Sequence, residues 1–104
     1  TKLETLRLGV TKTTDAGLVH LKGMSKLETL NLALTKITDA GLVHLAGLSR
    51  LRELNLLYTQ IADSGLMHLK GLIKLRGIYI KGTEITGAGV AELKKALPNC
   101  TIER

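Results

Sequence analysis

The chain contains no tryptophan and no phenylalanine, and Tyr58 and Tyr79 are its only aromatic residues. Any core must be built from Leu, Ile, Val, Met and Ala, and so uniform a palette, in a chain that is 44% hydrophobic, points to a unit used repeatedly. A single cysteine, Cys100, excludes an intrachain disulfide and a multi-cysteine metal site, and leaves the redox compartment open. No run of about eighteen apolar residues is present, so no membrane insertion is expected. The opening Thr1-Lys2-Leu3-Glu4 shows neither a signal-peptide core nor a transit pattern. A length of 104 residues suits one modest domain.

What is present is a period of 24 residues. Residues 3–26 read LETLRLGVTKTTDAGLVHLKGMSK and residues 27–50 read LETLNLALTKITDAGLVHLAGLSR, identical at 17 of 24 positions. Residues 51–74 and 75–96 continue the series with more drift, the fourth copy two residues short. Residues 97–104 open a half repeat, with Leu97, Cys100 and Ile102 expected at its first, fourth and sixth positions.

Within each copy the hydrophobic period changes. Leu27-x-x-Leu30-x-Leu32 alternates apolar with polar, as a short strand buried on one face does. Thr11, Thr35, Thr59 and Thr83 share the next turn, where a hydroxyl can bond to backbone. Ile37, Ile61 and Ile85 return the chain to the core, with Thr13 the exception. Thr38-Asp39 ahead of Ala40-Gly41-Leu42-Val43-His44-Leu45 predicts a helix capped by a hydroxyl or carboxylate, with Asp39 at the positive end of its dipole. Gly23, Gly47 and Gly71 stand where a left-handed residue would end that helix. Lys95 replaces glycine in the fourth copy and predicts a helix running on toward Pro98, while Cys100, at an apolar strand position, reads as a buried, inert thiol.

Such units cannot bury their apolar side chains singly, but stacked copies share one core. The expected architecture is α/β: a curved, right-handed solenoid with a parallel sheet on the concave face and short helices on the convex face. The curvature follows because strands sit about 4.8 Å apart while helices need about 8–10 Å. The L-x-x-L-x-L-x-x-T-x-I series resembles the leucine-rich repeat signature, with Thr in place of Asn or Cys. The T-D-A-G-L-x-x-L half, at residues 14–21 and 38–45, is similar to the variety found in bacterial leucine-rich repeat proteins and in repeats attached to F-box proteins. The closing LPNC-T-I is similar to the end of such bacterial proteins. The resemblance spans nearly the whole chain and implies a non-catalytic scaffold for protein recognition, often carried beside other domains. The sequence opens directly on a repeat, so a fragment or carboxy-terminal domain of a longer protein is expected. Leu3, Leu6 and Leu8 would then leave a core end for an upstream segment or a second copy to cover, which keeps a self-associating structural module as an alternative.

Strand alternation turns the third, fifth and seventh positions outward on the concave side. The expected partner-binding residues there are Arg7, Asn31, Glu53, Asn55, Leu57, Tyr79 and Lys81, with Tyr58 on the rim. Leu34 and Tyr58, at the eighth position, equally admit a reading in which they tuck under the loops as core. The net charge of +6 includes a column of Lys2, Lys26, Arg50 and Lys74 ahead of the strands. Glu4 and Glu28 offset it in the first copies, whereas Arg52 and Arg76 reinforce it later, making Arg50, Arg52, Lys74 and Arg76 a possible anion-binding patch. That patch admits a function-neutral stripe, an acidic protein partner, or nucleic acid or another polyanion. No aromatic platform is interleaved with the cations and no nucleic-acid module motif appears, which disfavours nucleic acid.

His20, His44 and His68 form a further column, completed by Glu92. Successive helices lie about 8–10 Å apart and a shared metal needs ligands at about 2 Å, so a solvated column copied with its repeat is the reading, and no metal or other cofactor is expected. The sequence carries no phosphate loop, no nucleophile elbow and no convergent carboxylate pair, so no enzyme is expected.

Overall fold

The fourth-position Leu or Ile of successive repeats lines one face of a parallel sheet. The computed structural model describes residues 5–7 and 13–104. Its strands are β1 (Thr5–Arg7), β2 (Thr29–Asn31), β3 (Glu53–Asn55), β4 (Gly77–Tyr79) and β5 (Thr101–Glu103), side by side in chain order. Leu6 pairs with Leu30, Leu30 with Leu54, Leu54 with Ile78 and Ile78 with Ile102, so every crossover returns the chain by one repeat. Leu30, Leu54 and Ile78 are fully buried and stack across the strands at the sheet's inner face.

Between strands lie α1 (Asp15–Leu18), α2 (Asp39–Leu42) and α3 (Asp63–Leu66), each one turn long and each tightening into a 3-10 turn, at Val19–Leu21, Val43–Leu45 and Met67–Leu69. A 3-10 turn eclipses residues three apart, which sends Leu42 with Leu45, and Leu66 with Leu69, into the core together. In the fourth repeat α4 (Gly87–Ala96) is a full helix, as the loss of glycine at Lys95 predicts. The threonine ladder is present among the described residues. Thr35 Oγ1 donates to the Leu32 carbonyl at 2.7 Å, Thr59 Oγ1 to Leu56 at 2.8 Å and Thr83 Oγ1 to Ile80 at 2.5 Å.

Three local expectations are corrected. Among the described residues, side-chain capping occurs only at α4, where Thr86 Oγ1 accepts from Gly89 N–H; Thr14, Thr38 and Ala62 make no such cap. The aspartates instead reach the next repeat. Asp15 accepts from the N–H and hydroxyl of Thr38, and Asp63 accepts from the N–H and hydroxyl of Thr86 at 2.8 and 2.5 Å. Asp39 accepts from Ala62 N–H at 2.7 Å and, where that alanine lacks a hydroxyl, from Ser64 Oγ at 2.5 Å. Carboxylates thus satisfy backbone donors that helix starts leave open, but across the repeat interface.

The second correction concerns glycine. Gly23, Gly47 and Gly71 are not left-handed; the helices end through 3-10 tightening, with Leu48 N–H donating to the Leu45 carbonyl at 3.0 Å. Among the described residues, the left-handed ones are Leu34 (φ 59°), Tyr58 (φ 56°) and Gly82 (φ 77°), all at the eighth position, where the chain leaves the strand. The third concerns Ile102, which pairs with Ile78 at the fourth position and not at the sixth. The long α4 delays re-entry, while the ladder keeps its 24-residue step. Cys100 is buried, as expected, and burial pushes its thiol above the ordinary range.

Candidate functional site

Strand alternation decides which side chains are offered. Leu30, Leu32, Leu54, Leu56 and Ile80 are buried, while Asn31, Glu53, Asn55, Leu57 and Tyr79 stay half-exposed on the opposite face. Lys81 is exposed just beyond β4. Thr29, Asn31, Glu53, Asn55 and Tyr79 line one open cleft of about 390 Å³ along the sheet. The Arg7 side chain, together with Leu3, Leu8, Gly9 and Thr11, lies outside the described residues.

The centre of the cleft is a cross-strand pair. Tyr79 Oη donates to Glu53 Oε1 at 3.3 Å, and the Glu53 carboxylate lies directly over Gly77, where a Cβ would overlap it. A strand glycine marks such a close approach. The negative charge of Glu53 raises the Tyr79 phenol above its ordinary range, with burial, the hydrogen bond and Glu103 adding to it. Glu103 pairs opposite Tyr79 on β5, so the phenol stands between two carboxylate-bearing strands. Sequence reasoning missed Glu103 because it misplaced the fifth strand; the unbroken 24-residue step would have found it.

Asn31 and Asn55 play a double part. Their Oδ1 atoms accept from the Ala33 N–H at 3.0 Å and the Leu57 N–H at 2.9 Å, closing the strand ends. Their amide groups have two donors beyond that oxygen, so the cleft combines donors from Asn31 and Asn55 with the acceptor carboxylate of Glu53.

The two rims differ in character. At the carboxy-terminal ends of the strands, Leu34 and Tyr58 are 51% and 52% exposed, which excludes the reading that they are core. The Tyr58 ring lies across Gly82, whose absent side chain makes the room. At the other ends, Arg50, Arg52, Lys74 and Arg76 are all exposed, and Glu28 joins Arg50, Arg52 and Lys74 around a recess of about 220 Å³. His20 and His68 are exposed and His44 half-buried on the helix side. Among the described residues, no group of three or more His, Cys, Asp or Glu side chains could hold a metal ion, and no helix is long and apolar enough to cross a membrane.

A family model described as "Leucine rich repeat" matches residues 1–61. No curated protein matches the sequence. Among solved structures, the chain is similar to Chaetomium Mex67:Mtr2 subunits at a TM-score of 0.77 and 19% identity, covering 98% of this chain and 80% of that one. It is also similar to the Leptospira interrogans LRR protein LIC12759 (TM-score 0.71, 22% identity), covering 96% of this chain and 25% of that one. An internalin (inlF) from Listeria monocytogenes gives a TM-score of 0.62 at 21% identity, covering 95% of this chain and 34% of that one. At such identities these structures speak for the fold, an α/β solenoid of stacked strand-and-helix units. With the family model matching more than half of its length, the chain belongs to the leucine-rich repeat family.

Proposed function

We propose that the chain is a single, non-catalytic recognition domain that binds another protein on its sheet face. Leucine-rich repeats are a common protein-interaction module, and stacked repeats build extended surfaces for such contacts. The observation that carries the reading is the Glu53–Tyr79 pair at the centre of an open cleft that also holds Asn31 and Asn55. An aromatic ring held beside a half-exposed carboxylate offers apolar area and a directed acceptor together, the combination that interface centres favour. Leu57, Tyr58 and Lys81 extend the proposed surface at the carboxy-terminal ends of the strands, and Arg7 is assigned to it by the alternation of the sequence alone. The fold's likeness to the Mex67:Mtr2 subunits, a pair by its description, is in keeping with a repeat that works inside a protein assembly.

The test is capture from a lysate of the source cells by the wild type and by Glu53→Ala/Tyr79→Ala, with folding confirmed by circular dichroism. Asn55 is kept intact because its Oδ1 holds the Leu57 N–H. A protein retained by the wild type and lost by the folded double variant supports the reading. Equal retention contradicts it.

A further inference from the structure

The residues just ahead of β3 and β4 carry one sign of charge in two rows. Arg52 and Arg76 are locked one strand apart, because Arg52 N–H donates to the Glu28 carbonyl at 2.7 Å and Arg76 N–H to the Arg52 carbonyl at 2.7 Å. Arg50 and Lys74, two residues earlier in each copy, form the second row. Among the described residues, no carboxylate lies within ion-pair distance of any of the four. On the helix side the pattern differs: Lys70 and Lys95 approach Glu92 at 3.8 and 3.5 Å. Like charges gathered this closely repel one another, and an arriving anion removes that repulsion while being steered by it.

What surrounds the recess limits the anion's kind. Glu28 forms one wall, and Glu53, the residue after Arg52, stands on the sheet face, where its charge and that of Glu103 both act on Tyr79. A nucleic-acid backbone continues as an anion in both directions and would meet these carboxylates. It would also find no aromatic ring among the cations on which to stack a base. Tyr58 stands at the opposite end of its strand. A short acidic stretch of protein meets neither obstacle: it needs only a few carboxylates, each able to take a guanidinium in a forked pair, and can turn away on either side.

We infer that the recess of Arg50, Arg52 and Lys74, with Arg76 beside it, is a second recognition site that takes an Asp- and Glu-rich segment of a protein. It shares no lining residue with the sheet-face cleft, so the two sites can be tested apart.

The experiment is fluorescence anisotropy at low salt with a labelled oligoglutamate peptide and an oligothymidylate of the same charge. The proteins are the wild type and three double variants whose folding is confirmed by circular dichroism. Arg52→Ala/Lys74→Ala is expected to weaken oligoglutamate binding at least about tenfold. Lys22→Ala/Lys95→Ala removes the same charge elsewhere and is expected to change it less than about twofold. Glu53→Ala/Tyr79→Ala is expected not to weaken it, which separates failure here from failure of the sheet-face reading. Equal loss in the first two variants overturns the site in favour of net charge alone. Binding of oligothymidylate as tight as that of the peptide, with the same dependence on Arg52 and Lys74, overturns it in favour of a general polyanion surface, and absence of peptide binding overturns it outright.

Discussion

The carboxylate of Asp39 fills the space that a side chain at Gly65 would need, although the two residues belong to different repeats. Asp15 stands in the same relation to Gly41, and Asp63 to Gly89. Aspartate and glycine therefore form one device across repeats: Asp15, Asp39 and Asp63 each bind the next helix start, and Gly41, Gly65 and Gly89 make room for them. Glycine to alanine in a helix ordinarily stabilises by about 0.5–1 kcal/mol. Here Gly65→Ala is expected to destabilise by about 1–3 kcal/mol, since the buried Cβ must displace a hydrogen-bonded carboxylate. Urea denaturation measures it, and a more stable variant would contradict the account.

Asp63 gives that device a pH dependence. The Thr86 hydroxyl, then the Thr86 N–H, hold its carboxyl below the usual range, with Arg104 adding to the effect against some desolvation. The unfolded chain then binds the proton more readily, so this contribution is complete above the unfolded value of about 3.9 and is lost as pH falls through the lower, folded value. Between neutral pH and about pH 3 the wild type is expected to lose more of its urea midpoint than Asp63→Asn does. Parallel loss in both proteins would show that the carboxylate contributes nothing.

Leu32 and Leu34 lie two residues apart and are expected to respond oppositely to truncation. Leu32 is fully buried, and Leu32→Ala should cost about 2–5 kcal/mol. Leu34 is exposed with a left-handed backbone that costs a branched side chain about 1–2 kcal/mol, so Leu34→Gly should change stability by less than about 1 kcal/mol. Thermal unfolding of the two variants distinguishes them.

The Tyr79 phenol reports on the cleft without any ligand. In a Tyr58→Phe background, where Tyr79 is the single tyrosine, its ultraviolet titration is expected above the ordinary value of about 10. Replacing Glu53 with Gln should bring it down, because the carboxylate's charge is the largest cause of the rise. An unchanged midpoint would place the carboxylate away from the ring.

Much of the fold could be read from residues alone, because Leu30, Leu32 and Thr35 recur at a fixed spacing and each acts within its own repeat. What escaped sequence reading depends on how repeats stack. Asp39 looked like a local cap because its partners, Ala62 and Ser64, are 23 and 25 residues away and meet it only across the interface. The left-handed turn was expected at Gly47 from helix-ending rules, whereas its one compositional trace is Gly82, with Leu34 and Tyr58 masking the same conformation in other copies. Asn31, Glu53, Asn55 and Tyr79 were legible as outward residues by alternation. The closeness of Glu53 to Tyr79 was signalled only by Gly77, a glycine inside a strand.

A protein partner that meets the sheet face must come within crosslinking reach of it. The most direct measurement is a photo-crosslinking amino acid placed at Lys81, exposed beside the sheet, or at Ala46, exposed at the end of the Val43–Leu45 turn on the helix side. In lysate of the source cells, irradiation is expected to yield a defined protein adduct from position 81 and not from position 46. An adduct from position 46 alone would move the interface to the helix side and contradict the account.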